Sequence, residues 1–156
     1  MARRRFLLQV RTTDLDWLQH VNNSVYADYL QEARVDLLSM WRGSQLSHPE
    51  LSMVVANLEI TYRRSIHFRP EPVAIDTWTE RVGRTSYTLG HEIREPDTDI
   101  VYVVARSVMV LVDKATERPT PLGDDLRAHL LSVSDESGTA GDVPGTSITD
   151  EPAATS

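Results

Sequence analysis

The side chains able to do chemistry gather in one stretch, Thr13-Asp14-Leu15-Asp16-Trp17-Leu18-Gln19-His20-Val21-Asn22-Asn23-Ser24-Val25-Tyr26. Two carboxylates, a histidine and two amides stand immediately ahead of a segment with helical spacing. The first amides of a helix have no intrahelical acceptor, and the peptide dipoles favour negative charge there. A carbonyl oxygen held by such an amide becomes a better electrophile, as in an oxyanion hole. A carboxylate placed across from it can attack the carbon directly or take a proton from water. Asp and Asn before a helix also act as caps and turn formers, and a lone loop histidine is commonly structural. Residue types alone therefore leave a catalytic and a structural reading open.

Other chemistries are excluded more simply. The chain of 156 residues has no cysteine, which removes a disulfide framework, a thiolate metal site and a cysteine nucleophile. His48, His67, His91 and His129 are scattered without metal-ligand spacing, so no metal is expected. Sixteen basic against 23 acidic residues give a net charge of -7, which argues against a nucleic-acid partner. No apolar run approaches the ~20 residues needed to cross a bilayer. Arg3-Arg4-Arg5 resembles the charged start of a signal peptide, but Gln9 and Arg11 interrupt the apolar stretch that should follow. The reading is a cytoplasmic protein, with Arg3 to Arg5 as the solvated start of a strand.

The elements that must position the motif follow from periodicity. Phe6, Leu8 and Val10 alternate with Leu7, Gln9 and Arg11, which predicts a strand. Ser24 to Trp41 carries the best helix signal: Tyr26, Leu30, Ala33, Leu37 and Met40/Trp41 share a face, and Val25, Tyr29, Val35 and Leu38 widen it. Asn22, Asn23 or Ser24 can cap that helix, and Gly43 stops it. Four extended segments follow, at Leu58 to Tyr62, Val73 to Val82, Thr85 to Ile93 and Ile100 to Val112, the last apolar enough for burial on both faces. Leu122 to Leu131 fits a short final helix. Residues 133–156 hold five acidic residues, no Lys or Arg, and none of Leu, Met, Phe, Trp or Tyr, so they read as a disordered acidic tail behind a single domain of residues 1–132. One long apolar helix and five antiparallel strands make an α+β plan, a curved sheet wrapped around the helix. Exposed sheet edges are usually paired or protected, so a homodimer or homotetramer is expected.

The string Asp14-x-Asp16-x-x-x-His20-Val21-Asn22-Asn23-x-x-Tyr26, followed by Glu32-Ala33-Arg34, resembles the signature of hot-dog-fold thioesterases. The resemblance is to the 4-hydroxybenzoyl-CoA thioesterase family, most closely its long-chain acyl-CoA branch. Leu15 to Asn23 is also similar to the core motif of plant-type acyl-ACP thioesterases. Val112-Asp113, Arg118-Pro119 and Pro121-Leu122 resemble the family's usual ending, and the order strand, long helix, four strands fits the fold over residues 3 to 131. The resemblance implies that Asp16 is the catalytic carboxylate, as nucleophile or general base, and that the backbone N–H of Asn23 binds the thioester oxygen. His20 matches the motif histidine. In acyl-ACP relatives an Asn stands two residues after the Asp, where this chain has Leu18, so His20 reads as an orienter or proton carrier ranked below Asp16. Asp14 reads as a loop-stabilising acceptor. Glu32 either faces the site or pairs with a nearby Arg.

The reaction so implied is hydrolysis of an acyl-CoA, with no cofactor. A CoA substrate brings phosphates that Arg side chains should meet. Arg81, Arg84 and Ser86, around the Gly83 turn, resemble the family's nucleotide-contacting turn, with Arg63 and Arg64 as alternatives. Asn22 and Tyr26 complete the substrate-binding set, and Trp17, Leu18, Tyr29 and Trp41 are possible liners of an acyl pocket. Two other readings stand beside this one: an acyl-ACP thioesterase, and a non-catalytic protein that binds acyl thioesters. A dehydratase of the same fold would carry Asp-x-Asn-Pro-x-His, which is absent.

Overall fold

The computed structural model describes residues 3–39 and 49–135. Among these residues, five strands form one antiparallel sheet in the order β1-β3-β4-β5-β2: β1 (Arg4–Leu8), β2 (Leu51–Tyr62), β3 (Val73–Val82), β4 (Ser86–Arg94) and β5 (Val101–Asp113). Helix α1 (Val25–Leu38) lies between β1 and β2 in sequence, and a shorter helix α2 (Asp124–Ser132) follows β5. The α+β plan with a five-stranded sheet is as expected from the sequence, with a second helix beside the long one. No helix among the described residues is long and apolar enough to cross a membrane.

Alternation builds the covered face of the sheet. On β4, Tyr87, Leu89, His91 and Ile93 are buried, and on β5 so are Val103, Ala105, Ser107, Met109 and Leu111. The segment expected to be buried on both faces is thus buried on one. Val104, Val108 and Val110 on its other face are only half-covered, because no second layer packs there among the described residues. α1 joins two apolar clusters. Tyr26, Tyr29, Leu30 and Ala33 pack with Val73, Ile75, Ile93 and Val103, whereas Leu37 packs with Tyr87, Leu89, Met109 and the α2 residues Leu126 and Leu130. The N-terminal end of α1 therefore sits over one end of the sheet, and its C-terminal end over the other.

Several boundaries differ from the sequence reading. β2 begins at Leu51 rather than Leu58. Its first half reads Met53-Val54-Val55-Ala56 without alternation, and a register shift between Val55 and Asn57 breaks the period of two. Met40, Trp41 and Gly43, the expected end of the helix, lie outside the described residues, as does the tail beyond Asp135. Val133, assigned to that tail, is buried, and Ser134 bridges Thr79. The three arginines read as solvated each hold a carboxylate: Arg3 with Glu92 and Asp135, Arg4 with Asp36, and Arg5 with Asp76 and Asp97. On the outer face Arg3 stacks on Trp78, which lies flat across Gly90, where any Cβ would fall 2.3 Å from the indole.

His91 is fully buried in the sheet. Nδ1 lies 3.0 Å from Thr77 Oγ1 and Nε2 2.8 Å from Ser107 Oγ. Burial, reinforced by the nearby charge of Arg34, pushes its pKa down to about 3. The unfolded chain protonates this histidine near pH 6.5 and the folded chain does not, so its contribution is complete above that value and is lost as pH falls. Urea unfolding at successive pH values from 7 to 4 should show stability falling by up to about 1.4 kcal/mol per pH unit from this group. That component should vanish in His91→Gln.

Candidate active site

The loop between β1 and α1 is built on Asp14. Its carboxylate is buried at the end of a short 3-10 turn, Thr12–Asp14. It accepts from the Tyr29 hydroxyl at 2.6 Å, the Arg11 amide at 2.9 Å and the Arg11 guanidinium at 2.9 Å. Burial alone would raise the Asp14 carboxyl, but these donors outweigh it and hold its pKa below the ordinary value. The stabilisation is therefore present above about pH 4 and lost as pH falls through the folded value. Asp14 is the loop-stabilising acceptor expected from the sequence, and its strongest partner sits on the helix. Tyr29→Phe should cost about 1–3 kcal/mol in urea unfolding.

From this anchor the chain makes a narrow turn. Leu15 bridges Val21, the Asp16 amide donates to His20 O at 2.8 Å, and Gln19 closes the turn with φ 66°. Asp16 Oδ1 accepts from the amides of Leu18 at 2.9 Å and His20 at 3.4 Å. Oδ2 accepts no hydrogen bond among the described residues. Trp17 and Leu18 form the tip and are 87% and 52% exposed, so neither lines an enclosed pocket within one chain.

A second segment completes the site. His20 bridges His67, with the rings edge to face at 4.5 Å, and Val21 N donates to Ile66 O at 2.8 Å. Tyr26, expected to bind substrate, is 2% exposed. Its hydroxyl accepts from Ile66 N at 3.4 Å, and its ring packs against Tyr29 and Tyr62. It is packed in the core and ties the 66–67 segment to the helix. Burial raises the Tyr26 hydroxyl above its ordinary pKa, and the Ile66 amide offsets part of that rise.

The helix entry is organised by Asn22. Its Oδ1 accepts from Ser24 N at 3.0 Å and Ser24 Oγ at 2.9 Å, and its carbonyl accepts from Val25 N. Asn22 thus closes the turn that leads into the helix, whose N-cap position Ser24 has no side-chain cap, and it is engaged with its own chain. Asn23 is exposed. Its carbonyl accepts from the Tyr62 hydroxyl at 3.0 Å, and its amide donates to no acceptor among the described residues. Glu32 is exposed on α1 and pairs with no Arg among the described residues.

Arg81, Arg84 and Ser86 are brought together with one another but not with Asp16. They lie on the β3–β4 hairpin, which is pinned by Gly83 N to Ser86 O, Leu122 N to Arg84 O and Arg127 to Gly83 O. That hairpin is at the end of the sheet under the C-terminal half of α1. The Asp16 loop leads into α1 at the other end of the sheet, and the ten residues of β3 that run between the two ends span about 30 Å. Arg63 and Arg64, whose amides donate to Tyr102 O, are exposed at the Asp16 end. His67 and Tyr62 were invisible to sequence reasoning, since an isolated bridge between distant segments leaves no spacing. Tyr29 was legible as a helix-face residue, though not as the partner of Asp14. No group of three or more His, Cys, Asp or Glu able to hold a metal occurs among the described residues.

The five-stranded antiparallel sheet with α1 and α2, and the acidic loop that leads into α1, can be set beside known proteins. Residues 10–130 match the model of the thioesterase-like superfamily. The chain belongs to that superfamily, with the hot-dog architecture, and is by family a thioester hydrolase. It is 31% identical over 125 residues to the long-chain acyl-CoA thioesterase FadM of Escherichia coli, covering 79% of this chain and 93% of that one. It is 29% identical to a thioesterase of Thermus thermophilus solved with coenzyme A and Zn, with a TM-score of 0.68, covering 83% and 92% of the two chains. The DHNA-CoA thioesterase of Staphylococcus aureus, at 21% identity, shares the fold with a TM-score of 0.74 over 85% and 91%.

Proposed function

We propose that the protein hydrolyses acyl-CoA thioesters to a free carboxylate and CoA, with Asp16 as nucleophile or general base and the Asn23 amide polarising the carbonyl. One observation carries this reading: Asp16 is fixed by Oδ1 with Oδ2 unengaged, and the Asn23 amide at the mouth of α1 has no acceptor of its own among the described residues. In the attack on the thioester carbon, the carbonyl oxygen gains negative charge and the amide strengthens its hold, which favours the transition state over the ground state. Collapse breaks the C–S bond and expels the CoA thiolate; with Asp16 as general base the attacking water leaves its oxygen in the carboxylate product directly, and with Asp16 as nucleophile a water then cleaves the acyl-Asp16 anhydride and restores the carboxylate. His20, backed by His67, is placed to orient water or carry a proton. The sheet is read as curving around α1, and residues 1–132 as the catalytic unit ahead of an acidic tail.

The proposal includes a homodimer. β2 is a 12-residue edge strand with Val54 and Val55 exposed, the kind of edge that pairs with a second copy. A two-fold partner would also bring its Arg81/Arg84 hairpin to the Asp16 loop, which one chain cannot do. The CoA phosphates would then meet the partner's hairpin, and the exposed Trp17 and Leu18 would be covered between subunits.

The test is thiol release from a panel of acyl-CoAs of increasing length. The chain has no cysteine, so a thiol reagent reads only the CoA set free. Turnover with at least one acyl-CoA is the expected result. Saturable binding without release across the panel would leave a non-catalytic acyl-thioester binder, and a much higher kcat/KM with acyl carrier protein substrates would reassign the carrier.

A further inference from the structure

The middle of the covered face of the sheet is polar, between the two apolar clusters. The parity that puts Val73 and Ile75 under α1 puts Thr77 and Thr79 there, and on β4 His91 lies between Leu89 and Ile93. α1 lowers Arg34 onto this belt. Arg34 is 7% exposed, its side chain makes no hydrogen bond or ion pair among the described residues, and its Nη1 is sealed from solvent without an acceptor. Two neutral groups on the same face are in the same condition: the Tyr87 hydroxyl and Thr79 Oγ1 are both buried without a partner. Thr79 pairs with Leu89 across the sheet, two residues from Tyr87, and the charge of Arg34 is felt at both Tyr87 and His91.

The belt has donors in surplus. His91 commits both ring nitrogens to Thr77 and Ser107 and stays neutral, so it offers Arg34 no acceptor. Among the described residues no carboxylate pairs with the guanidinium. An unpaired buried cation is strongly unfavourable, and a buried hydroxyl without a partner adds to the deficit. One negative charge among these groups would satisfy their donors together. The near-complete burial of Arg34 favours a monatomic ion over a bulky oxyanion. We infer that Arg34, Tyr87 and Thr79 form an internal binding site for a small monovalent anion of the halide class, held between α1 and the sheet as part of the folded structure.

The inference does not depend on the reaction, and its test reads stability. The full chain is melted in chloride and in gluconate at equal ionic strength. Chloride at ten times its dissociation constant multiplies the folded-to-unfolded ratio about elevenfold and raises Tm by about 5 °C. In Arg34→Met the chloride and gluconate midpoints should coincide. Equal midpoints in the unmodified protein, or the same chloride shift in both proteins, would overturn the site. Should Arg34→Met not fold, Tyr87→Phe is expected to reduce the chloride shift by more than half, and an undiminished shift counts against the inference. A crystal grown in bromide should show an anomalous peak within hydrogen-bond range of Arg34 Nη1, and a featureless map there would also overturn it.

Discussion

Asp16→Asn should lower the rate of thiol release at least about a hundredfold while leaving the unfolding midpoint nearly unchanged. The reason for both halves lies in the two carboxylate oxygens. Oδ1 is structural: it receives the amides of Leu18 and His20 and closes the turn. An asparagine side chain presents the same carbonyl oxygen to the same amides, so the loop keeps its shape. In the proposed reaction Oδ2 is the reacting oxygen, and in asparagine an amide nitrogen replaces it, neither nucleophile nor base. Asp16→Ala would remove both functions and confuse loss of chemistry with loss of the loop. A fall of less than tenfold in Asp16→Asn, measured at saturating acyl-CoA, would show that another group does the work.

Mixing two impaired proteins should restore activity, which tests the assembly of the site from two copies. Asp16→Asn lacks the oxygen proposed to react. The double variant Arg81→Ala/Arg84→Ala should keep kcat and raise KM for CoA substrates at least about tenfold, because the phosphates lose their charged partners. If each site takes Asp16 from one subunit and the hairpin from the other, a mixed dimer contains one site with both defects and one with neither. Co-expression at equal levels gives mixed dimers in half of the population, so about a quarter of all sites should be intact. If one chain supplied both groups, every site would carry a defect and co-expression would give only the average of the two weak activities. Arg63 and Arg64, which do stand at the Asp16 end of the same chain, would then become the phosphate contacts.

Much of this arrangement can be read from the residues in order. The position of the motif ahead of a helix needs only local spacing, and α1 follows from an apolar face repeated over four turns. The strands β3, β4 and β5 follow from alternation and from the Pro- and Gly-containing turns between them. What escapes such reading involves distance along the chain. The contact of His20 with His67 joins segments with no common period, and the Tyr62 hydroxyl on the Asn23 carbonyl spans 39 residues. Tyr26 looked like a contact for substrate because it belongs to the motif, but burial assigns it to the core. The first half of β2 lacked alternation because both of its faces are partly open. The polar belt under Arg34 could not be foreseen either, since Thr77, His91, Ser107 and Arg34 come from four elements and meet only when the sheet is assembled.

The pairing of Arg3 with Asp135 has a practical consequence. The first and last described residues are held together beside β1, at the sheet edge opposite β2. A short covalent link between them would make a closed ring of chain, and new termini could then be opened at the exposed hairpin tip at Asp97 to Asp99. Such a circular permutant would keep every strand neighbour and leave the β2 edge untouched.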